Sequence, residues 1–67
     1  MPLVHIHISE GKTDQQKHDL MLAITEAIEK SINANRSAIR IFLHELPLTH
    51  IMVAGNIPGG AKPPAAG

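Results

Sequence analysis

Two short segments of alternating apolar and polar residues enclose one amphipathic segment, and this order most strongly limits the folds open to the chain. The first alternating segment covers residues 3–9, with Val4, Ile6 and Ile8 on one face, and the second covers residues 39–45. Alternation with a period of two is typical of a β-strand whose two faces meet different surroundings. The pattern therefore predicts two strands separated by a helix.

The segment between the strands has the periodicity of an α-helix and also its end signals. Its apolar side chains recur at intervals of three and four residues, at Leu20, Ile24, Ala27, Ile28 and Ile32. Thr13 and Gln16 form the pattern of a capping box, and Asn33 tolerates the left-handed conformation that ends helices. We predict a helix over residues 14–32. So short a connection indicates a right-handed β-α-β unit with parallel strands and the helix on one sheet face.

The residues after Pro47 divide into a second apolar run and a tail. Residues 48–57 contain a short turn and the apolar run 51–54, which we interpret as a C-terminal β-hairpin that pairs with a neighbouring subunit. Residues 58–67 are too rich in proline, glycine and alanine to form a regular element. The chain is thus predicted to be one α/β domain over residues 1–57, followed by a tail.

A chain of 67 residues without cysteine has few ways to stabilise a small core. Ordering it costs on the order of 100 kcal/mol, at about 1.5 kcal/mol per residue, and burial in so small a domain offsets that cost only approximately. The lack of cysteine excludes disulfides and cysteine-bound zinc. Because 43% of the residues are hydrophobic, we expect partner subunits to cover the apolar surface that one chain leaves open.

The charge balance excludes several classes of protein. Six acidic and six basic residues give a formal net charge of zero, and the chain has one phenylalanine and no tyrosine or tryptophan. A nucleic-acid-binding protein would show a basic face and, for single strands, stacking aromatic residues. No apolar segment approaches the roughly 20 residues that span a bilayer, and the N-terminus lacks a signal-peptide pattern. We expect a soluble, cytoplasmic protein that binds neither nucleic acid nor membrane.

Pro2 directly follows the initiator methionine. Loss of Met1 would give Pro2 a free secondary amine. An α-amino group ordinarily titrates near 8, and burial or a neighbouring cation lowers that pKa, so such an amine could act as a general base at pH 7. Proline is equally compatible with an ordinary strand start, because its missing N–H need not join the ladder.

Two cations and several histidines are further candidates for chemistry. Lys12 follows the first strand and Arg40 lies in the second, so both could lie near sheet ends, where arginine presents a fork for a carboxylate or enolate. By residue type alone, both are more often ordinary surface charges. His5 and His7 share a strand face, and His44 and His50 could approach them as a zinc or copper site. Two histidines make an incomplete site, so we predict no metal and an intersubunit hydrogen bond for His7.

In their order along the chain, these features resemble the 4-oxalocrotonate tautomerase family over about residues 2–57. The matching positions are Pro2 with its apolar strand, His7-Ile8-Ser9-Glu10-Gly11-Lys12, Thr13-Asp14-Gln15-Gln16-Lys17, Ile39-Arg40-Ile41, and residues 50–55. The resemblance implies a tautomerase-like fold assembled as a homohexamer, a trimer of dimers, with active sites shared between subunits and no cofactor.

The resemblance also implies a role for each candidate residue. Pro2 would be the general base in the keto–enol tautomerisation of a small 2-hydroxy-dienoate or enol acid. Arg40 would reach a neighbouring subunit's Pro2 and polarise the carbonyl oxygen where negative charge develops. Lys12 would bind the substrate carboxylate and Ile51 would line the pocket. The best-known members have arginine and an aromatic residue at these two positions, so the resemblance does not fix which enol acid is the substrate.

Two alternatives differ from this reading. A related hydratase or dehalogenase acting on an unsaturated acid would need a carboxylate to activate water, for which Glu10 and Glu45 are available. A non-catalytic subunit of a mixed oligomer is the other alternative, and the presence of both Pro2 and Arg40 argues against it.

Overall fold

The computed structural model describes residues 1–58, so the predicted tail lies outside the described residues from position 59 onward. The elements in chain order are β1 (Leu3–Ser9), α1 (Asp14–Ile32), a 3-10 turn (Arg36–Ala38), β2 (Arg40–Leu46) and a second 3-10 turn (Leu48–His50). The predicted β-α-β unit is confirmed. None of the helices among these residues is long and apolar enough to cross a membrane.

The two strands form a parallel pair whose register runs from Leu3 opposite Arg40 to Ser9 opposite Leu46. β2 begins and ends one residue later than residues 39–45, the range that alternation predicts. The reason is local, because the N–H of Ile39 donates to the carbonyl of Arg36 (3.1 Å) and so closes the 3-10 turn instead of joining the sheet.

Helix α1 has both of the predicted ends. The N–H of Gln16 donates to Thr13 Oγ1 (3.1 Å), and the N–H of Thr13 donates to Gln16 Oε1 (3.0 Å), which completes the capping box. Asn33 ends the helix in the left-handed conformation, with φ 54°. These caps satisfy backbone groups that a bare helix end would leave unpaired.

The sheet has one face against the helix and one face without a helix. The ion pair between Lys17 of α1 and Glu45 of β2 (2.8 Å) shows that the row containing Glu45 faces the helix. Because side chains alternate along a strand, the other rows belong to the opposite side, which we call the helix-free face. Its members, from the paired register, are Leu3, His5, His7, Ser9, Arg40, Phe42, His44 and Leu46.

One chain buries little of its apolar surface. Within residues 1–58, Ile39 is the only buried hydrophobic residue, at 8% exposure, while Leu3 and Phe42 on the helix-free face remain 54% and 43% exposed. Burial of apolar surface is the main favourable term in folding. The described fold therefore leaves apolar surface available for partner subunits, in agreement with the expectation from chain length.

The predicted C-terminal hairpin takes a minimal form. Val53 and Asn56 make a single antiparallel bridge, with hydrogen bonds of 2.7 and 2.9 Å between their backbone groups. Ala54 (φ 52°) and Gly55 (φ 85°) between them both have positive φ, as in the tight turns that favour hairpins. The bridge brings the two sides of the turn together within the predicted apolar segment.

Candidate active site

Pro2 is held at the amino end of the sheet. Its carbonyl accepts a hydrogen bond from the backbone N–H of Arg40 (3.0 Å), and the next residue, Leu3, is the register partner of Arg40. Pro2 is partly exposed, so solvent reaches it. Because proline contributes only its carbonyl to the ladder, the hydrogen bond positions the residue without involving its nitrogen.

Arg40 brings a positive charge to the same end of the sheet. Its Nη1 donates to the carbonyls of Ser37 (2.8 Å) and Ile39 (3.2 Å), which anchors the guanidinium beside the start of β2. Within residues 1–58, no carboxylate forms a salt bridge with Arg40. The structure therefore joins the backbone of Arg40 to that of Pro2, and the exposed guanidinium of Arg40 is neutralised by no carboxylate among residues 1–58.

Lys12 lies at the opposite end of the sheet. It follows the turn at Gly11, whose φ of 111° suits glycine, and it is exposed. The rise of about 3.3 Å per residue makes the seven-residue β1 roughly 20 Å long. Lys12 and Pro2 of one chain therefore cannot contact the same small molecule.

Ile51 belongs to the same end of the sheet as Lys12. It follows the 3-10 turn after β2, where its N–H donates to the carbonyl of Leu48 (3.3 Å), and it is partly exposed. The N–H of Glu10 donates to the carbonyl of Leu46 (2.9 Å), which ties the two chain segments together at this end. The four predicted site residues thus form two pairs, Pro2 with Arg40 and Lys12 with Ile51, at opposite ends of the sheet.

Two other cations serve the fold. Lys17 Nζ contacts Glu45 Oε1 (2.8 Å) and Asp14 Oδ1 (3.2 Å), and the hydrogen bond to Glu45, followed by that to Asp14, raises the pKa of the Lys17 ammonium. The guanidinium of Arg36 pairs with Glu29 (2.8 Å), which raises the pKa of Arg36. These pairs connect α1 to the segments around β2. Lys12 and Arg40 make no such pairs within the described chain.

On the helix-free face His44 approaches His5 and His7, as the sequence analysis considered, but in a stack of rings with Phe42 that it did not foresee. His5 Nδ1 lies 2.8 Å from His44 Nε2, and the rings of His7 and Phe42 stack on this pair. The signal was present in the alternation of both strands, since the parallel register puts His5 opposite Phe42 and His7 opposite His44. In the part of the chain that the structure describes, no group of three or more His, Cys, Asp or Glu side chains is arranged to hold a metal ion.

The site of one chain is open. No cavity is present among residues 1–58, and each sheet end holds only part of the predicted set. A pocket that contained all four residues would need the two ends of the sheet to meet, which requires a second chain.

Comparison with known proteins identifies one family. The model of the family described as "Tautomerase enzyme" matches residues 2–61. Among curated proteins, the 2-hydroxymuconate tautomerase of Stutzerimonas stutzeri is 38% identical over 55 residues, which cover 82% of this chain and 87% of that protein.

Solved structures give the same result for the fold. A 4-oxalocrotonate tautomerase isozyme from Methylibium petroleiphilum matches with a TM-score of 0.80 at 34% identity, over 84% of this chain and 88% of that chain. A heterohexamer 4-oxalocrotonate tautomerase from Chloroflexus aurantiacus J-10-fl matches with a TM-score of 0.85 at 27% identity, over 92% of this chain and 100% of that chain. The β-α-β arrangement described above is therefore shared with oligomeric proteins.

Proposed function

The chain belongs to the tautomerase enzyme family, and we propose that it is a cofactor-independent keto–enol tautomerase acting on a small 2-hydroxy-dienoate or enol acid. The observation that carries the proposal is the hydrogen bond from the Arg40 N–H to the Pro2 carbonyl (3.0 Å). It holds the candidate base and the residue that carries the candidate cation at one end of the sheet. The tautomerase name of the Stutzerimonas stutzeri relative supports the same reaction class.

In this proposal the secondary amine of Pro2, freed by loss of Met1, is the general base. It takes the hydroxyl proton of the enol or dienol and delivers a proton to a carbon of the conjugated system, which converts the substrate to the conjugated ketone. With Met1 attached, the Pro2 nitrogen is an amide without a basic lone pair. A neighbouring cation disfavours the protonated amine and so lowers its pKa, which increases the fraction of free base near neutral pH.

Arg40 is proposed to stabilise the charge that develops on the substrate oxygen. A preorganised donor aimed at a developing oxyanion contributes a factor of about 10²–10³ to kcat. Arg40 suits this role because its Nη1 is anchored on two main-chain carbonyls while no carboxylate in the described chain neutralises its charge. That Arg40 reaches a neighbouring subunit's Pro2 stays a prediction.

Lys12 and Ile51 are proposed to come from a neighbouring subunit. Lys12 would bind the substrate carboxylate, and Ile51 would form an aliphatic wall that excludes water. Because β1 is roughly 20 Å long, both residues can join Pro2 only where another chain brings its opposite sheet end to the site. We propose a homohexamer as the assembly; the Chloroflexus aurantiacus heterohexamer supports the number of six chains, and the small buried core of one chain supports association.

The hydratase or dehalogenase alternative receives less support. The carboxylate of Glu45 is bound to Lys17 on the helix-facing side, and Glu10 lies beyond the far end of β1. Neither carboxylate of the same chain is therefore beside Pro2 to activate a water molecule.

The first experiment measures the N-terminal mass and then the ketonisation rate. We expect the mature protein to begin at Pro2 and to ketonise 2-hydroxymuconate or phenylenolpyruvate, followed by ultraviolet absorbance. Pro2→Ala should lose most of this rate while the oligomer remains intact on sizing, because the ring that fixes the nitrogen at the strand start is gone. Equal rates in the variant and the parent would show that Pro2 is not the base.

A second outcome would favour the alternative from another class. Protein that begins at Pro2, assembles normally and turns over neither substrate, yet becomes active when mixed with another tautomerase chain, would be a non-catalytic subunit of a mixed oligomer. Protein that retains Met1 and is nevertheless fully active would contradict proton transfer by the Pro2 amine.

A further inference from the structure

The helix-free face carries a column of four stacked rings that the proposed chemistry does not use. We call it the imidazole ladder, and its members in order are Phe42, His5, His44 and His7. The ring centroids are 4.9 Å apart for Phe42 and His5, 5.1 Å for His5 and His44, and 4.7 Å for His44 and His7. The interplanar angles of 16°, 19° and 16° make all three contacts stacked. β1 and β2 supply alternate rings, so the ladder joins the two strands.

A hydrogen bond in the ladder limits how many protons it can hold. His5 Nδ1 and His44 Nε2 are 2.8 Å apart, so one ring nitrogen donates and the other accepts. An imidazolium has donors on both nitrogens and no acceptor. The bond therefore breaks when both rings are protonated. His7 stacks on His44 as well, so a charge on either of these rings repels a charge on the other.

The surroundings of the ladder offer no compensating negative charge. None of its three histidines lies within salt-bridge distance of a carboxylate in residues 1–58. The one fixed charge among the residues of the helix-free face is Arg40, which is positive and opposite Leu3. Lys17 and Glu45 pair on the other side of the sheet, where α1 and its charged residues lie. Protons added to the ladder thus meet only like charge on their own face.

The composition of the helix-free face is that of an interface rather than of a solvated surface. Exposed Leu3 and Phe42 lie on it together with the histidines, and it contains a single fixed charge. Interface cores are depleted of charged residues and enriched in aromatic ones. Within the described residues only Ile39 is a buried hydrophobic residue, and a structural relative is a heterohexamer. A chain of this same fold is therefore the occupant that fits.

With a second copy of this chain on the helix-free face, as the homohexamer proposed above would provide, we infer that the imidazole ladder makes the association dependent on pH. The association is tight where the rings are neutral and weak where they are protonated. Imidazoles ordinarily change charge between about pH 5 and 8, so the change falls in the physiological range. The effect on activity rests on the shared site proposed above, because a dissociated chain would lose the Lys12 end of its partner.

Proton linkage gives the size of the effect. An imidazole that stays neutral in the interface and binds a proton in the free chain weakens association about tenfold per pH unit below its pKa in the free chain. By this relation, a generic imidazole with the ordinary pKa of about 6.5 raises the dissociation constant about tenfold between pH 7.5 and pH 5.5 for each ring that stays neutral in the interface. The ladder has three.

The test is sedimentation velocity over a concentration series at pH 7.5 and pH 5.5, with circular dichroism to follow folding. We expect the dissociation constant of the parent to rise at least tenfold at pH 5.5 and to recover when the pH is restored. His44→Phe keeps a ring in the stack and removes the central titrating group, so the rise in its dissociation constant should be about tenfold smaller than that of the parent. His18→Phe is the matched control, since His18 is an exposed histidine on α1, and it should behave like the parent.

Several results would overturn the inference. A folded parent whose association is the same at both pH values contradicts it, and so does an identical pH response in the His44→Phe and His18→Phe variants. If His44→Phe does not fold, His7→Phe, at the end of the ladder, makes the same comparison. If EDTA alone dissociates the oligomer at pH 7.5, the histidines hold it together by binding a metal ion, and this would contradict control by protonation.

The ketonisation assay keeps this inference separate from the proposed function. If the protein is inactive and its association still weakens at pH 5.5, the inference about the ladder is supported and the tautomerase proposal is contradicted. If the protein is active and its association does not change with pH, the tautomerase proposal is supported and the inference about the ladder is contradicted. If both hold, diluting the parent at pH 5.5 should lower its specific activity more than the same dilution at pH 7.5.

Discussion

Replacement of Arg40 by alanine should change the pH dependence of the proposed reaction as well as its rate. Pro2 precedes Leu3, the register partner of Arg40. Because neighbouring strands are about 4.8 Å apart, we take about 7 Å as the separation between the guanidinium and the amine. Two charges at about 7 Å repel by roughly 0.6 kcal/mol at a dielectric of about 80 and roughly 2.4 kcal/mol at about 20. Because this repulsion disfavours the protonated amine, the guanidinium lowers the pKa of the Pro2 amine.

Without Arg40 that pKa rises, and the acidic limb of kcat/KM moves to higher pH. Loss of the oxyanion donor should in addition lower kcat by about 10²–10³ on the plateau. The measurement is a pH–rate profile with 2-hydroxymuconate for Arg40→Ala, Arg40→Lys and Lys30→Ala. Arg40→Lys keeps the charge and should keep the position of the limb, while Lys30→Ala removes a cation in the last turn of α1 and should match the parent.

An unchanged profile and rate for folded Arg40→Ala protein would refute the reasoning, because no other cation in the described chain is placed beside Pro2 by a hydrogen bond. A lower rate with an unshifted acidic limb would support the role of Arg40 as an oxyanion donor and contradict its effect on the pKa of the Pro2 amine.

Three further predictions follow from the same contacts. Lys12→Ala should raise KM for the substrate, because Lys12 is proposed to bind its carboxylate. An equal mixture of Pro2→Ala and Lys12→Ala chains, dissociated and reassembled, should recover about a quarter of the parental rate if each site takes these two residues from two chains at random. No recovery would contradict the shared site. The raised pKa of Lys17 means that its pair with Glu45 stabilises the fold fully below the ordinary lysine value of about 10.4 and is lost as the pH rises through the raised value. Lys17→Met should therefore flatten the fall in melting temperature above about pH 10.4. Thr13→Ala removes the acceptor of the helix cap and should lower the free energy of unfolding by about 1 kcal/mol in urea titrations, whereas Thr49→Ala, outside α1, should change it less.

Local signals in the sequence account for most of the secondary structure. The bounds of α1 agree with the prediction at both ends because Thr13, Gln16 and Asn33 act within one turn of the chain. The displacement of β2 by one residue has a different origin, since the 3-10 turn that retains Ile39 depends on a backbone hydrogen bond and not on alternation. The hairpin after β2 was predicted as an element and is limited to one bridge in the described chain.

The sequence alone predicted candidate residues for the chemistry, the order of the elements, and an apolar surface larger than one core. Only the tertiary structure decided that Pro2 and Arg40 meet at one end of the sheet while Lys12 and Ile51 lie at the other, and that Phe42 and three histidines stack in one column. The physical reason is that helix caps and alternation are local properties of the chain. The distance between strand ends and the pairing of rings across strands depend on the parallel register, which exists only once α1 has carried the chain back to β1.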